Sequence, residues 1–253
     1  MFDAHVHMGY YQRKGFNEQF YYSPRKVFGV LSRAGCQEFI VSSTCSQHNE
    51  IDLRALIREA AEMKRIAGER AHIFFWLNSR DYQADHNLTV LGSGIFEGVK
   101  MHELVDSWMQ KHSSDLRRIL GVLQERRMPV QFHTGMMQWC RPKDFMPYAK
   151  EFPSLKFDLA HFYPSRETID VMMRCPNVYT DTALYIDELY AKLPPIPEDV
   201  RRRVLFGTDF PAYHDVEEGF SACYKEKMEM YERNFGREND MKAFVSFLAR
   251  GED

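Results

Sequence analysis

The chain alternates short, nearly unbroken apolar runs with longer stretches whose apolar residues recur every three or four positions. The runs lie at 2–8, 36–44, 72–77, 98–102, 129–133, 155–161, 178–182 and 203–208, and each reads as a strand. Between them the pattern predicts helices. Ser23-Pro24 supplies a cap and a proline at the first helical position, opening a helix that ends near Gly35. Asn49 caps a longer helix with Leu53, Leu56, Ile57, Ala60, Met63 and Ala67 on one face, stopping at Gly68. Ser113 or Ser114 caps one with Leu116, Ile119, Leu120 and Leu123 inward, residues 141–152 form the next, and Ser165 caps one ending at Cys175-Pro176. Further helices are expected near 185–193, through Phe220, Cys223, Tyr224, Met228, Tyr231 and Phe235, and at 241–249. Two stretches fit poorly: 81–94 offers only a short helical candidate at Leu88–Leu91, and 9–22 reads as an aromatic loop.

Eight strands alternating with helices predict an α/β fold of the (β/α)8 barrel type, a single domain over 1–253, since such barrels run to about 250 residues. A doubly wound open sheet is the competitor. It loses its nucleotide-binding versions, because no Gly-x-Gly-x-x-Gly follows the first strand and no Gly-x-x-x-x-Gly-Lys occurs. In a barrel the C-terminal strand ends converge on one mouth. Strand alternation sends His5 and His7 of FDAHVHM to one side. Lys100, His102, His133, His161 and Asp209 each fall in or just past a later strand. Residues two hundred positions apart would therefore meet. Neutral imidazoles with a carboxylate suit Zn²⁺, Mn²⁺ or Fe²⁺, and an open coordination position lets such an ion acidify water. An aspartate there can both bind the ion and take a proton.

Composition narrows the partners. A net charge of −3 over 253 residues makes no electrostatic case for nucleic acid or an anionic membrane. Arg126-Arg127 and Arg201-Arg202-Arg203 read as helix C-terminal charges facing water. Five scattered cysteines without Cys-x-x-Cys argue against a disulfide framework or a thiolate zinc site. A first strand starting at residue 2 leaves no room for a leader, and no apolar stretch reaches a membrane span, so a cytoplasmic protein acting on a small molecule is expected, with homo-oligomerisation left open.

The stretches FDAHVHMG (2–9), GVKMH (98–102), VQFHTG (130–135), WCRPKDFMPYAKEFPSLKFDLAHF (139–162), NVYTDTAL (177–184) and RVLFGTDFP (203–211) resemble, in order and spacing, the amidohydrolase superfamily and its amidohydrolase 2 branch. The resemblance implies that His5, His7 and Asp209 hold a first metal, with Asp209 also the general base. It makes His133 a ligand, and His161 either a ligand of a second metal or an acid-base contacting substrate. Lys100 matches a strand-four lysine that is carboxylated and bridges two metals in dihydroorotase-like members, and is an unmodified charge in one-metal members. His102, Arg141 and Tyr163 are candidate substrate contacts, and Trp139 and His214 could reach substrate too. The implied activity is metal-dependent hydrolysis of a C–N or C–O bond in a cyclic amide, amide or lactone by a metal-activated water, most readily with one or two zinc ions. A non-oxidative decarboxylase or hydratase with one metal is the alternative, and a non-catalytic metal-binding barrel a third. His48, His72, His86 and His112 read as ordinary surface or structural residues. The closing stretch 236–253 departs from the family's usual last helix, and specificity would reside in the loops at 9–22, 44–50, 78–95, 102–113, 136–142 and 211–219.

Overall fold

The computed structural model describes residues 2–12, 19–44, 53–77, 89–183, 193–212, 217–236, 239 and 243–244. Its strands are β1 (Phe2–Gln12), β2 (Gln19–Tyr22), β3 (Glu38–Ser43), β4 (Ala71–Trp76), β5 (Gly98–Met101), β6 (Val130–Phe132), β7 (Phe157–Leu159), β8 (Val178–Asp181) and β9 (Val204–Leu205). They form one sheet in the order β2-β1-β3-β4-β5-β6-β7-β8-β9, and every pair except β1–β2 is parallel. Beyond β9 the chain returns to β1. Ala4 N–H donates to Phe206 O (2.7 Å), Asp209 N–H to His5 O (2.8 Å) and His7 N–H to Phe210 O (2.7 Å), with a parallel bridge between Val6 and Phe210. These bonds join the last parallel strand to the first, as an eight-stranded barrel requires.

The described helices are α1 (Pro24–Arg33), α2 (Leu53–Ala67), α3 (Glu103–Asp106), α4 (Trp108–Lys111), α5 (Ser113–Glu125), α6 (Pro142–Glu151), α7 (Ser165–Arg174), α8 (Glu198–Arg201) and α9 (Glu217–Phe235). Two cores result. The larger packs Val6, Met8 and Val41 of the strands against Val27, Leu31, Leu56, Met63, Leu120 and Tyr224 of the helices. The smaller fills the barrel floor with Phe2, Ala4, Ile40, Phe74, Tyr179, Leu205 and Phe244. Gly98 faces Phe74 there: a Cβ on it would come within 2.5 Å of that ring, so only glycine admits the phenyl group. No helix among the described residues is long and apolar enough to cross a membrane.

The expected helices opening at Ser23-Pro24, at Ser165 and near Phe220 are present, and Ser23 accepts from Lys26 N–H as an N-cap should. Ser165 does not cap its helix: it is the first helical residue, the capping position falls to Pro164, and its hydroxyl donates to Phe162 O. Asn49 and the 185–193 and 241–249 helices lie largely outside the described residues, as do residues 78–88. Three further expectations need correction. The aromatic loop is in part a hairpin: β1 runs on to Gln12 and pairs with β2 from Gly9↔Tyr22 to Gln12↔Gln19. Tyr10 and Tyr21 meet across it with ring centroids 4.9 Å apart and planes tilted by 43°, a cross-strand aromatic pair that alternation alone does not reveal. Neither Ser113 nor Ser114 caps α5, because α3 and α4 precede it and leave His112 in the capping position. Arg203 does not face water. Its guanidinium is buried and donates to the carbonyls of Met172 (2.9 Å), Cys175 (3.2 Å) and Val178 (2.6 Å), closing the C-terminal end of α7 where helix carbonyls lack partners.

Candidate metal centre

Five strands bring their chemistry to one volume at the mouth. His5 and His7 lie on β1, Lys100 on β5, His133 just past β6, His161 in the turn Ala160–Phe162 after β7, and Asp209 past β9. His5 Nε2 lies 3.1 Å from His7 Nε2 and 3.6 Å from Asp209 Oδ1. His7 Nε2 is 3.0 Å from Asp209 Oδ1, and His161 Nε2 is 3.8 Å from Asp209 Oδ2. Ligand atoms of His5, His161 and Asp209 all fall within 4.8 Å of one another. A tetrahedral ion such as zinc, with bonds near 2.0–2.1 Å, sets its ligand atoms roughly 3.4 Å apart. The spacing and the donor set therefore fit a divalent cation.

Each imidazole is oriented from behind. His5 Nδ1–H donates to Asp181 Oδ2 (2.8 Å), which leaves the Nε2 lone pair facing the cluster. His161 Nδ1–H donates to Thr134 O (3.0 Å), with the same result at its own Nε2. His7 Nδ1 meets Ser42 Oγ (2.9 Å), a hydroxyl that donates or accepts, so His7 can present either a lone pair or a proton. Burial, helped by Lys100, holds His5 down at about 4 against the opposing pull of Asp181 and Asp209. Burial lowers His161 as well. Burial thus disfavours the charged form of both rings, as metal ligation would require. Burial alone would raise Asp209, yet His5, the His7 hydrogen bond and His161 outweigh it and hold the carboxylate well below its usual range.

The backbone bears strain at the same points. His161 (φ 82°), Phe162 (φ 47°) and Asp209 (φ 53°) all occupy the left-handed region that side chains avoid.

The remaining predicted residues divide. Lys100 is buried, and its Nζ donates to His5 Nε2 (3.0 Å), the atom a metal would take; burial lowers its pKa against the opposing pull of Asp181, Asp209 and Asp158. His133 makes ring contacts with His102 (3.8 Å, stacked) and His161 (4.5 Å, edge-on), and burial pushes it well below the ordinary histidine value. His102 also stacks on Trp76 (5.9 Å), which in turn touches His7 (5.7 Å). His102 Nδ1 and Trp76 Nε1 are buried without hydrogen-bond partners, and burial takes His102 to about 3. Arg141 is not extended toward the histidines as an unpaired cation: it stands before α6 and its guanidinium binds Glu167 at 2.5 and 3.3 Å. Tyr163 is partly buried directly after the His161 turn. His214 lies outside the described residues. Trp139 is exposed beside Met136 and Met137, in a loop closed by Gly135 N–H to Cys140 O (2.9 Å).

Reasoning from strand ends missed the residues behind the clustered histidines. Asp181, Asp158, Gln131, Ser42 and Thr134 are all buried in or beside strands. A signal for two of them was present. An aspartate inside an apolar strand, as in FDLA and VYTDTA, must find a partner once buried.

Comparison with known proteins agrees with this geometry. The model of the amidohydrolase-2 family, described as amidohydrolase, matches residues 3–218. No curated protein matches in sequence. Among solved structures, the chain resembles a probable 2-pyrone-4,6-dicarboxylic acid hydrolase from Acinetobacter baumannii crystallised with citric acid (TM-score 0.63, 11% identity, 96% of this chain and 98% of that one). It resembles the IDCase of Metarhizium anisopliae in apo form (TM-score 0.63, 13% identity, 99% and 97%). A Burkholderia multivorans amidohydrolase with bound zinc is similar too (TM-score 0.60, 14% identity, 99% and 96%). At these identities the likeness concerns the fold.

Proposed function

The chain belongs to the amidohydrolase-2 family, and from that premise we propose that it is a metal-dependent hydrolase cleaving a C–N or C–O bond of a small cyclic amide, amide or lactone. The observation that carries this reading is the set of imidazole Nε2 atoms gathered on the two oxygens of one carboxylate at contacts of 3.0–3.8 Å, with His5 and His161 locked in the ligating tautomer by Asp181 and Thr134. His5, His7, His161 and Asp209 would hold the ion, with His133 beside them; zinc is the first candidate, given its preference for nitrogen and carboxylate donors. A bound divalent ion supplies Lewis acidity, acidifying water and polarising a carbonyl. Asp209 takes the proton of the attacking water and delivers it to the leaving group. His102 and Tyr163 would contact the substrate. The strained left-handed turns at His161 and Asp209 fit a site held ready for its ion.

The alternative is a one-metal decarboxylase or hydratase, in which Lys100, its Nζ 3.0 Å from His5 Nε2, would stay unmodified. Metal analysis of the purified protein with and without bicarbonate separates the two. About two ions per chain, dependent on bicarbonate and lost in Lys100→Ala, supports hydrolysis through a bridged pair. About one, indifferent to Lys100, moves the assignment to the one-metal chemistry. No ion after loading with zinc or manganese overturns both. Screening lactones, cyclic amides and carboxylated rings, with acid release scored against CO₂ release, then names the reaction.

A further inference from the structure

One buried carboxylate at the mouth is neither a ligand nor a base in the chemistry above, yet it touches both His5 and His161. Asp181 ends β8 and is fully buried. Its two oxygens divide their work. Oδ2 accepts from His5 Nδ1 (2.8 Å) and Gln131 Nε2 (3.2 Å), while Oδ1 accepts from the main-chain N–H of His161 (2.9 Å) and of Ala183 (2.9 Å). The first oxygen sets the His5 tautomer. The second holds the backbone of His161, the residue whose φ of 82° needs an external restraint.

The reach from β8 to β1 crosses the chain that lies between them. β9 and its extension occupy that place, and the residue at the crossing is Gly207. A Cβ on Gly207 would stand 3.1 Å from the His5 Cβ and 3.2 Å from the Asp181 Cβ, closer than such contacts normally run. Gly207 is not in the left-handed region, so conformational freedom does not explain it. Close approach does: its bare Cα lets the carboxylate and the imidazole meet over the intervening strand.

We propose that Asp181, reaching across the gap at Gly207, is the positioning residue that couples His5 and His161, so that the two histidines become competent for a divalent ion together. The inference rests on the metal-centre reading for its consequence, and on hydrogen bonds within the chain for its cause. An asparagine at 181 keeps an acceptor for the His161 and Ala183 amides but turns an NH₂ group toward His5. The imidazole then accepts at Nδ1 and carries its proton on Nε2, which removes the ligating lone pair.

The test uses the full chain as Asp181→Asn and Gly207→Ala, stripped by chelator. Histidine ¹⁵N NMR of the metal-free protein reports the His5 tautomer, and competition between zinc and a chromophoric chelator reports affinity. The expected result for Asp181→Asn is a switch from the Nδ1–H to the Nε2–H form with affinity reduced about 10–100-fold. Gly207→Ala should lower affinity similarly by separating the pair, and it remains informative if the asparagine variant does not fold. An unchanged His5 tautomer, or affinity within about twofold of the original in either folded variant, overturns the proposal. Should the unaltered protein bind no zinc, the functional reading fails, while the tautomer measurement still decides the role of Asp181.

Discussion

The two ends of the barrel use histidine in opposite ways. At the mouth, His5 and His161 each spend one ring nitrogen on a supporting group and keep the other for the cluster. At the floor, His72 opens β4 and spends both: Nδ1 meets Glu97 Oε2 (2.6 Å) and Nε2 meets Glu38 Oε1 (2.7 Å), with Lys64 on the far side of Glu97. Burial lowers His5 and His161. Burial would lower His72 too, but Glu97 and then Glu38 outweigh it and raise its pKa. A histidine closed on both sides by carboxylates is a charged staple. One closed on a single side turns its other nitrogen to the cluster. Partners, not residue type, make the difference.

That contrast predicts that damage at the mouth removes function and spares the fold, and that damage at the floor does the reverse. The largest effect is expected from Asp209→Asn. Loss of the base should cost activity about 10³-fold on the best substrate from the screen, within the range general-base catalysis supplies, and thermal melting of the metal-free protein should stay close to the original. A large drop in that melting temperature would mean that Asp209 holds the fold.

Arg203→Gln comes next, from the floor end of β9. Removing a cation bonded to three buried carbonyls should destabilise by about 2–3 kcal/mol in urea unfolding and leave the zinc content unchanged. Comparable in size is the effect of chelation. An ion present at a hundred times its dissociation constant adds about 2.7 kcal/mol, so stripping it should lower the melting temperature by about 5–10 °C. The loss should vanish in His5→Ala and persist in His72→Gln.

The smallest effect is the pH profile of His72. Its folded pKa lies above the ordinary 6.5, so its contribution is complete below pH 6.5 and fades as pH rises through the raised value. Glu97 is lowered from 4.5 by His72 and Lys64 against burial, so its contribution is complete above pH 4.5 and fades as pH falls through the lowered value. The cluster should therefore add most between about pH 4.5 and 6.5. His72→Gln should flatten the decline above pH 6.5 and cost about 1–2 kcal/mol at pH 6. A stability curve of the same shape in both proteins would remove the staple.

Much of this was legible along the chain. The apolar runs mark all eight barrel strands, and the histidines and Asp209 stand at their ends because the mouth is where parallel strands converge. The hairpin from β1 to β2 was not legible, since Tyr10, Tyr11, Phe20 and Tyr21 are aromatic whether they pair or loop, and only the partner strand decides. Arg203 resembled its less buried neighbours Arg201 and Arg202 in sequence. Its burial depends on the carbonyls left open by a helix thirty residues earlier, which no local pattern records.

Period and punctuation along the chain determine which segments are strands, and alternation then sets His5 and His7 side by side, because these are properties of neighbours along one backbone. Which nitrogen each histidine leaves free was decided by the closed barrel alone. Asp181 reaches His5 over Gly207 across 176 residues of separation, and Thr134 reaches His161 from the adjacent strand. Hydrogen bonds of about 3 Å require positions that only the assembled sheet supplies.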